Sequence, residues 1–169
     1  MINRKYILTK ETAEKKLRRM ALEVAERNYG EQQLLLVGIK DSGLIIANKI
    51  SLYLQDIFKG EVIVIAMTID KKNPDVIEIE PVIDFTDKII LLIDDVANTG
   101  KAMLYALKPF LEARPKKIQT LAMVERTHKS FPIEVDYIGL SFSTTLNQHI
   151  YVEVEGTDVT GAWMEEEAL

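Results

Sequence analysis

Asp94 and Asp95 stand side by side at the end of an unbroken apolar run, Ile89–Ile93, and are followed by Val96-Ala97-Asn98-Thr99-Gly100-Lys101-Ala102. Two adjacent carboxylates at the end of a buried strand are costly unless hydroxyls, amides or a metal meet them. The small-residue turn behind them opens a helix, and the free backbone N–H groups of such a turn favour an anion. Carboxylates for sugar hydroxyls beside amides for a phosphate describe a pocket for a ribose 5-phosphate. Thr99 adds a hydroxyl donor, and Gly100 permits close approach of the backbone. An Asp-Asp pair taken alone would serve equally as a cap for the helix, and Thr-Gly as an ordinary turn. The combination of apolar strand, Asp-Asp, Thr-Gly and amphipathic helix favours the sugar-phosphate reading.

Two other phosphate motifs are excluded by inspection. Gly100-Lys101 looks like the end of a P-loop, but Asp95 stands at the required earlier glycine and Ala102 at the final Ser/Thr. No G-x-G-x-x-G follows the first apolar run, so a dinucleotide fingerprint is missing. The chain has no cysteine, which removes thiolate chemistry and disulfides. Its two histidines, His128 and His149, lie far apart in sequence, which argues against structural zinc. No Ser-His-Asp or Cys-His set is readable. His128 follows Arg126 on an expected loop, His149 reads as surface, and Trp163 suits packing of the C-terminal segment better than stacking on a base.

The elements that must position these residues follow from periodicity. Thr9 is a plausible N-cap for a helix carrying Leu17, Met20, Ala21, Val24 and Ala25 as one apolar stripe, stopped at Asn28-Tyr29-Gly30. Leu34–Ile39, Val62–Ile69 and Ile89–Ile93 read as buried strands, and Ile118–Val124 as the next strand. Helices are expected after Ser42-Gly43 and from Gly100 to about Glu112. Val76–Ile83 alternates in part, and Pro81 suggests an edge or hairpin. Val135–Leu140 and Ile150–Val154 read as shorter strands. Alternating strands and helices predict an α/β fold, a mostly parallel central sheet with helices on both faces. Ligands in such sheets bind beyond the carboxyl ends of the strands. The loops there are Lys40–Gly43, Ile69–Asp75, Asp94–Ala102 and Glu125–Lys129.

The 169 residues suit one domain with one core. Apolar runs are too short to span a bilayer, and residues 1–20 contain nothing like a signal peptide, so a cytoplasmic protein with no membrane partner is expected. The net charge of −5 opposes broad nucleic-acid binding.

The stretch around Asp94-Asp95 resembles the PRPP-binding motif of the type I phosphoribosyltransferases. It is closer to one branch, the bifunctional pyrimidine operon attenuator and uracil phosphoribosyltransferase family, and the resemblance covers most of the chain. Residues 26–40, Thr86 to Val96, Arg114-Pro115 and Val124 to Gly139, with Arg126, His128, Pro132 and Asp136, are similar to segments of that family. The resemblance implies the three-layer type I phosphoribosyltransferase fold with a small hood, formed mainly by about 139–169. It implies that Asp94 and Asp95 bind the ribose 2′- and 3′-hydroxyls, partly through Mg2+ held indirectly by ribose or water. Ala97, Asn98, Thr99, Gly100 and Lys101 would cradle the 5′-phosphate. Lys40, Asp41, Ser42 and Gly43 would face pyrophosphate, and Arg126 and His128 the base. The implied reaction transfers ribose 5-phosphate from PRPP to a nucleobase, uracil foremost, with release of pyrophosphate.

The departures from that family are concrete. Its Thr-Arg-Gly is replaced by Asp41-Ser42-Gly43, which removes an arginine fork suited to phosphate. Ala97, Asn98 and Ala102 replace larger apolar, aromatic and hydroxyl-bearing residues. The segment Asp70 to Asp87 is shorter than the family's flexible loop and offers Lys71 and Lys72 but no arginine. These changes keep the ribose-phosphate side and weaken the pyrophosphate side. They open the alternative of a nucleotide- or PRPP-sensing regulator of pyrimidine metabolism with little turnover, binding a nucleoside monophosphate. Glu134 and Leu140 stand where the family is basic, which disfavours RNA. Relatives of this fold class are usually dimers or larger, so a homo-oligomer is expected.

Overall fold

Apolar runs without alternation suit strands covered on both faces, and in this chain they become the inner strands of one sheet, although of Val62–Ile69 only Ile65 and Met67 are buried. In the computed structural model residues 4–70 and 72–166 are described. The order is β1 (Arg4–Thr9), α1 (Lys10–Arg27), β2 (Gln33–Ile39), α2 (Ser42–Ile57), β3 (Glu61–Ile69), β4 (Ile77–Glu80), β5 (Ile89–Ala97), α3 (Lys101–Ala106), α4 (Lys108–Glu112), β6 (Lys117–Arg126), β7 (Tyr137–Phe142), β8 (Gln148–Glu155) and β9 (Asp158–Glu166). The central sheet runs β4-β3-β2-β5-β6-β7. All its pairings are parallel except β3 with β4, where Ile69 faces Ile77 and Ala66 faces Glu80.

Alternate residues of the inner strands feed two cores. Leu34, Leu36, Leu91, Ile93 and Leu121 pack with Leu17, Met20 and Val24 of α1 and Ile46, Ile50 and Leu54 of α2. On the other face Leu35, Val37, Ile90 and Leu92 meet Met103, Ala106 and Phe110 of α3 and α4. This is the α/β three-layer arrangement that the sequence predicts. Thr9 caps α1 as expected, its hydroxyl accepting from the Thr12 N–H at 3.2 Å. No helix among the described residues is long and apolar enough to cross a membrane.

Four details differ from expectation. The helix expected from Gly100 to Glu112 is two short helices meeting at Leu107. Pro109 has no N–H to donate, and its ring would collide with the Tyr105 carbonyl in a continuous helix. The strand expected over Val76–Ile83 is confined to Ile77–Glu80, at the sheet edge, and ends before Pro81. A second, antiparallel sheet of order β1-β9-β8 contains two strands the periodicity did not announce, β1 and β9. It draws on residues 148–166 and on Arg4–Thr9, whereas β7, within the expected hood of 139–169, pairs with β6 in the central sheet.

Candidate active site

The strand order reverses direction between β2 and β5: β2 connects through α2 to β3 on one side, while β5 connects through α3 and α4 to β6 on the other. A crevice must open where the two connections diverge beyond the strands' carboxyl ends. One does, with a volume of about 520 Å³, between the loops that leave β2, β3 and β5.

The β2 loop contributes Lys40, Asp41, Ser42 and Gly43 to this crevice. Gly43 is required where it stands: a Cβ there would lie 2.7 Å from the Ile93 carbonyl oxygen and 3.2 Å from the Asp94 Cα. The loop therefore rests directly on the strand that carries the carboxylates. Gly38, near the end of β2, is needed for a similar reason, since its Cβ would meet the Leu44 Cα at 2.6 Å. The Lys40–Asp41 peptide is cis. Asp41 is the residue before α2, yet its carboxylate makes no capping bond to the helix.

Asp94 and Asp95 are half-buried and both line the crevice. Each accepts from the next backbone amide, Asp94 from the Asp95 N–H at 2.9 Å and Asp95 from the Val96 N–H at 2.7 Å. The helix-cap alternative does not hold, because the N-cap of α3 is Gly100, with φ +81°, which has no side chain to cap the helix. Thr99 and Lys101 line the same crevice. The Thr99 hydroxyl accepts from the Lys101 N–H at 3.3 Å, which closes the turn. With α3 only Lys101–Ala106 long, its dipole is small, so any anion here would be held chiefly by turn amides and Lys101.

Among the expected site residues the crevice gathers Lys40, Asp41, Ser42, Gly43, Asp94, Asp95, Thr99 and Lys101, while Ala97, Asn98 and Gly100 shape the turn without lining it. Arg126 and His128 do not line it either. The Arg126 guanidinium donates instead to the Thr144 hydroxyl at 2.7 Å and the Thr145 carbonyl at 3.3 Å, tying β6 to the segment that leads into β8. His128 is exposed. Trp163 is buried against Tyr151, ring centroids 4.4 Å apart, with the Arg4 guanidinium 4.3 Å from its ring centroid, so it packs within the small sheet. Ile39, Ile69, Asp70, Pro74 and Ala102 complete the lining. Asp70 and Pro74 fall in a loop singled out by its place at a strand end, but no motif marked either residue. Asp70 also builds the turn, accepting from the amides of Lys72 at 2.8 Å and Asn73 at 3.3 Å. Lys71, counted with Lys72 as a cation of this connection, lies outside the described residues.

Comparison with known proteins agrees with this architecture. The phosphoribosyl transferase domain family matches residues 3–156. The bifunctional protein PyrR of Clostridioides difficile is 33% identical over 171 residues, covering 94% of this chain and 97% of that protein. PyrR of Chloroflexus aurantiacus is 32% identical, covering 94% and 92%. Among solved structures, a hypoxanthine-guanine phosphoribosyltransferase from Bacillus anthracis superposes with a TM-score of 0.74 at 12% identity, covering 99% of each chain. The hypoxanthine phosphoribosyltransferase of Trypanosoma cruzi superposes with a TM-score of 0.73 at 14% identity, covering 82% of each. With the switch-point crevice, the Asp-Asp strand end and these relatives taken together, the chain belongs to the type I phosphoribosyltransferase family, on the side of its PyrR branch.

Proposed function

We propose that the crevice binds PRPP and transfers its ribose 5-phosphate to a nucleobase, uracil foremost, with release of pyrophosphate. The observation that carries this reading is the meeting of three features in one crevice: the Asp94-Asp95 strand end, the Thr99–Ala102 turn and the Lys40–Gly43 loop. The bond from the anomeric carbon to pyrophosphate breaks, pyrophosphate leaves with the electron pair, and a ring nitrogen of the base bonds to the same carbon and gives up its proton to water or the departing pyrophosphate. Positive charge develops on the sugar ring as the bond breaks. Asp94 and Asp95 hold the ribose hydroxyls and favour that charge; the turn fixes the phosphate, so the reacting atoms are oriented before reaction.

The chemistry of the donor set suits Mg2+. The crevice is lined by the carboxylates of Asp41, Asp70, Asp94 and Asp95 against the ammonium groups of Lys40 and Lys101. No group of three or more metal-binding side chains comes together among the described residues. Mg2+ commonly keeps several waters and takes substrate oxygens as ligands, so Asp94 and Asp95 would hold it indirectly, through the ribose hydroxyls or water. Bound there, it would neutralise phosphate charge.

One observation favours a second reading, a nucleotide sensor with little turnover. The pyrophosphate-facing loop presents Asp41 and Ser42 and no arginine, so the leaving group meets a carboxylate. RNA is a weaker partner for either reading, given the net charge of −5 and Glu134 in the β6–β7 connection.

The test is pyrophosphate release from PRPP and Mg2+ with uracil, orotate, hypoxanthine, guanine, adenine and xanthine in turn. The doubly substituted Asp94→Asn, Asp95→Asn protein serves as control. Release with one base, lost in the control, is expected. Retained binding of a nucleoside monophosphate without release from any base would establish the sensor instead. Unchanged nucleotide affinity in the control would remove Asp94 and Asp95 from the site.

A further inference from the structure

The turn after β5 does not stand alone. The connection between β6 and β7 folds back on it, and the N–H groups of Ser130 and Phe131 both donate to the Thr99 carbonyl, at 3.1 and 2.9 Å. Ile133 of the same connection fills the space beside Gly100, where a Cβ would come within 2.6 Å of its Cγ2. Gly100 is thus constrained twice, by its φ of +81° and by this neighbour.

A planar trans peptide sends its C=O and N–H in opposite directions. With the Thr99 carbonyl pinned on Ser130 and Phe131, the Gly100 N–H of the same plane must point away from that connection. Two bonds to the carbonyl also polarise the peptide and strengthen its N–H as a donor. The β6–β7 connection therefore decides where one amide of the turn is aimed.

Besides backbone bonds at its two ends, such as Thr127 N–H to the Phe142 carbonyl and Asp136 N–H to the Thr120 carbonyl, the connection is held by an ion pair outside the crevice. The Lys129 ammonium binds the Glu125 carboxylate, and each side chain is only 12% exposed. Glu125 lies near the end of β6, registered against Ala97 of β5 and Ser141 of β7. The Ser141 hydroxyl donates to its second oxygen at 3.4 Å. Glu125 so pairs through its backbone with the strand that enters the turn, while its carboxylate joins the strand beyond to the residue immediately before Ser130. Exposed ion pairs contribute little to stability. A pair this enclosed differs, because removing one partner strands a charge in a poorly solvated place.

We propose that the Glu125–Lys129 pair is a positioning device for the phosphate turn: it sets the β6–β7 connection, which fixes the Thr99 peptide and so the aim of the Gly100 N–H. This rests on the reading of that turn as the site of a ribose 5-phosphate. Neither residue touches the crevice, so the pair acts through the backbone of Thr99 and Gly100.

The test uses ribose 5-phosphate, which carries no base, so the identity of the nucleobase does not enter. Its affinity is followed through backbone amide shifts, and hydrogen exchange is measured at Ser130 and Phe131, in the wild type, Lys129→Met, Lys129→Arg and the double variant Glu125→Gln, Lys129→Met. In Lys129→Met, exchange at Ser130 and Phe131 should rise while Leu35 and Leu36 in β2 stay protected. Ribose 5-phosphate affinity should fall roughly tenfold, the order expected for one lost bond to a charged group. Lys129→Arg should restore both. The double variant leaves no stranded charge; it should fold and still show both losses, and it answers if Lys129→Met does not fold. Wild-type exchange and affinity in the double variant would overturn the positioning role, as would losses that arginine fails to restore. A wild-type protein that does not bind ribose 5-phosphate would remove the phosphate site itself and the proposal with it. Binding that survives the substitutions would remove the proposal alone.

Discussion

The side chain that separates the two functional readings is Ser42, with Asp41 beside it. Both line the crevice, and the Asp41 carboxylate is not engaged as a helix cap. A pyrophosphate placed against this loop meets like charge where a guanidinium would supply paired donors. If that is what limits turnover, Asp41→Thr with Ser42→Arg should tighten PRPP by roughly tenfold or more, the order of a charge-assisted hydrogen bond. Ribose 5-phosphate affinity should stay as it is, because the pyrophosphate side alone is altered. Titrations of both ligands in both proteins decide it, and equal gains for the two would point to a general charge effect. The acidic pair Asp94-Asp95 was legible because carboxylates at the end of a buried strand require an explanation. Arg126 was not: its sequence context cannot show that Thr144 and Thr145, in a later connection, occupy its guanidinium. A long-range hydrogen bond leaves no periodic trace.

At the scale of the element, the inner strands could be read directly because β2, β5 and β6 are apolar on both faces. β1 was hidden for the opposite reason. Its Arg4-Lys5-Tyr6 start is exposed, and it is a strand only because β9 pairs with it. The α3–α4 break is written in Pro109, whose ring stops a continuous helix whatever the apolar pattern around it. The packing of α1 on β7 is a feature that no window of sequence reveals. Tyr137 of β7 is fully buried, with the Arg27 guanidinium 4.9 Å from its ring centroid. Burial pushes the phenol above its ordinary pKa, and the nearby Arg27 charge opposes that only in part. The unfolded chain releases this proton at about pH 10, while the native state keeps it to higher pH. Stability is therefore whole below the ordinary value and declines as pH rises through the raised one. Tyr137→Phe should remove this component of the alkaline decline. At neutral pH it should change stability by about 1 kcal/mol or less, because the buried hydroxyl makes no well-formed hydrogen bond, Asn28 and Gln119 being near it but bonded to each other. Urea unfolding at pH 8 and above pH 10 measures both; an alkaline decline as steep as the wild type's would assign it to other groups.

At the scale of the whole molecule, two sheets share one core. Leu8, Ile150, Val159, Ala162 and Met164 of the small sheet pack in the same cluster as Leu36 and Leu91 of the large one and the inner faces of α1 and α2. The junction is also ionic. Asp158, which opens β9, binds Lys49 of α2 at 2.7 Å and Lys10 of α1 at 3.1 Å, and these lysines, Lys49 foremost, hold its carboxyl below the usual range. A small sheet with its own core could open and melt separately, whereas one that completes a common core cannot leave without exposing the apolar faces of α1 and α2. The sequence supplies a reporter for the distinction. Trp163 is the only tryptophan and lies in β9, buried against Tyr151, whereas helical circular dichroism reports α1 and α2. Denaturant unfolding followed by Trp163 fluorescence and by helical dichroism should give coincident midpoints and equal slopes. Fluorescence changing at lower denaturant would show that the small sheet detaches first.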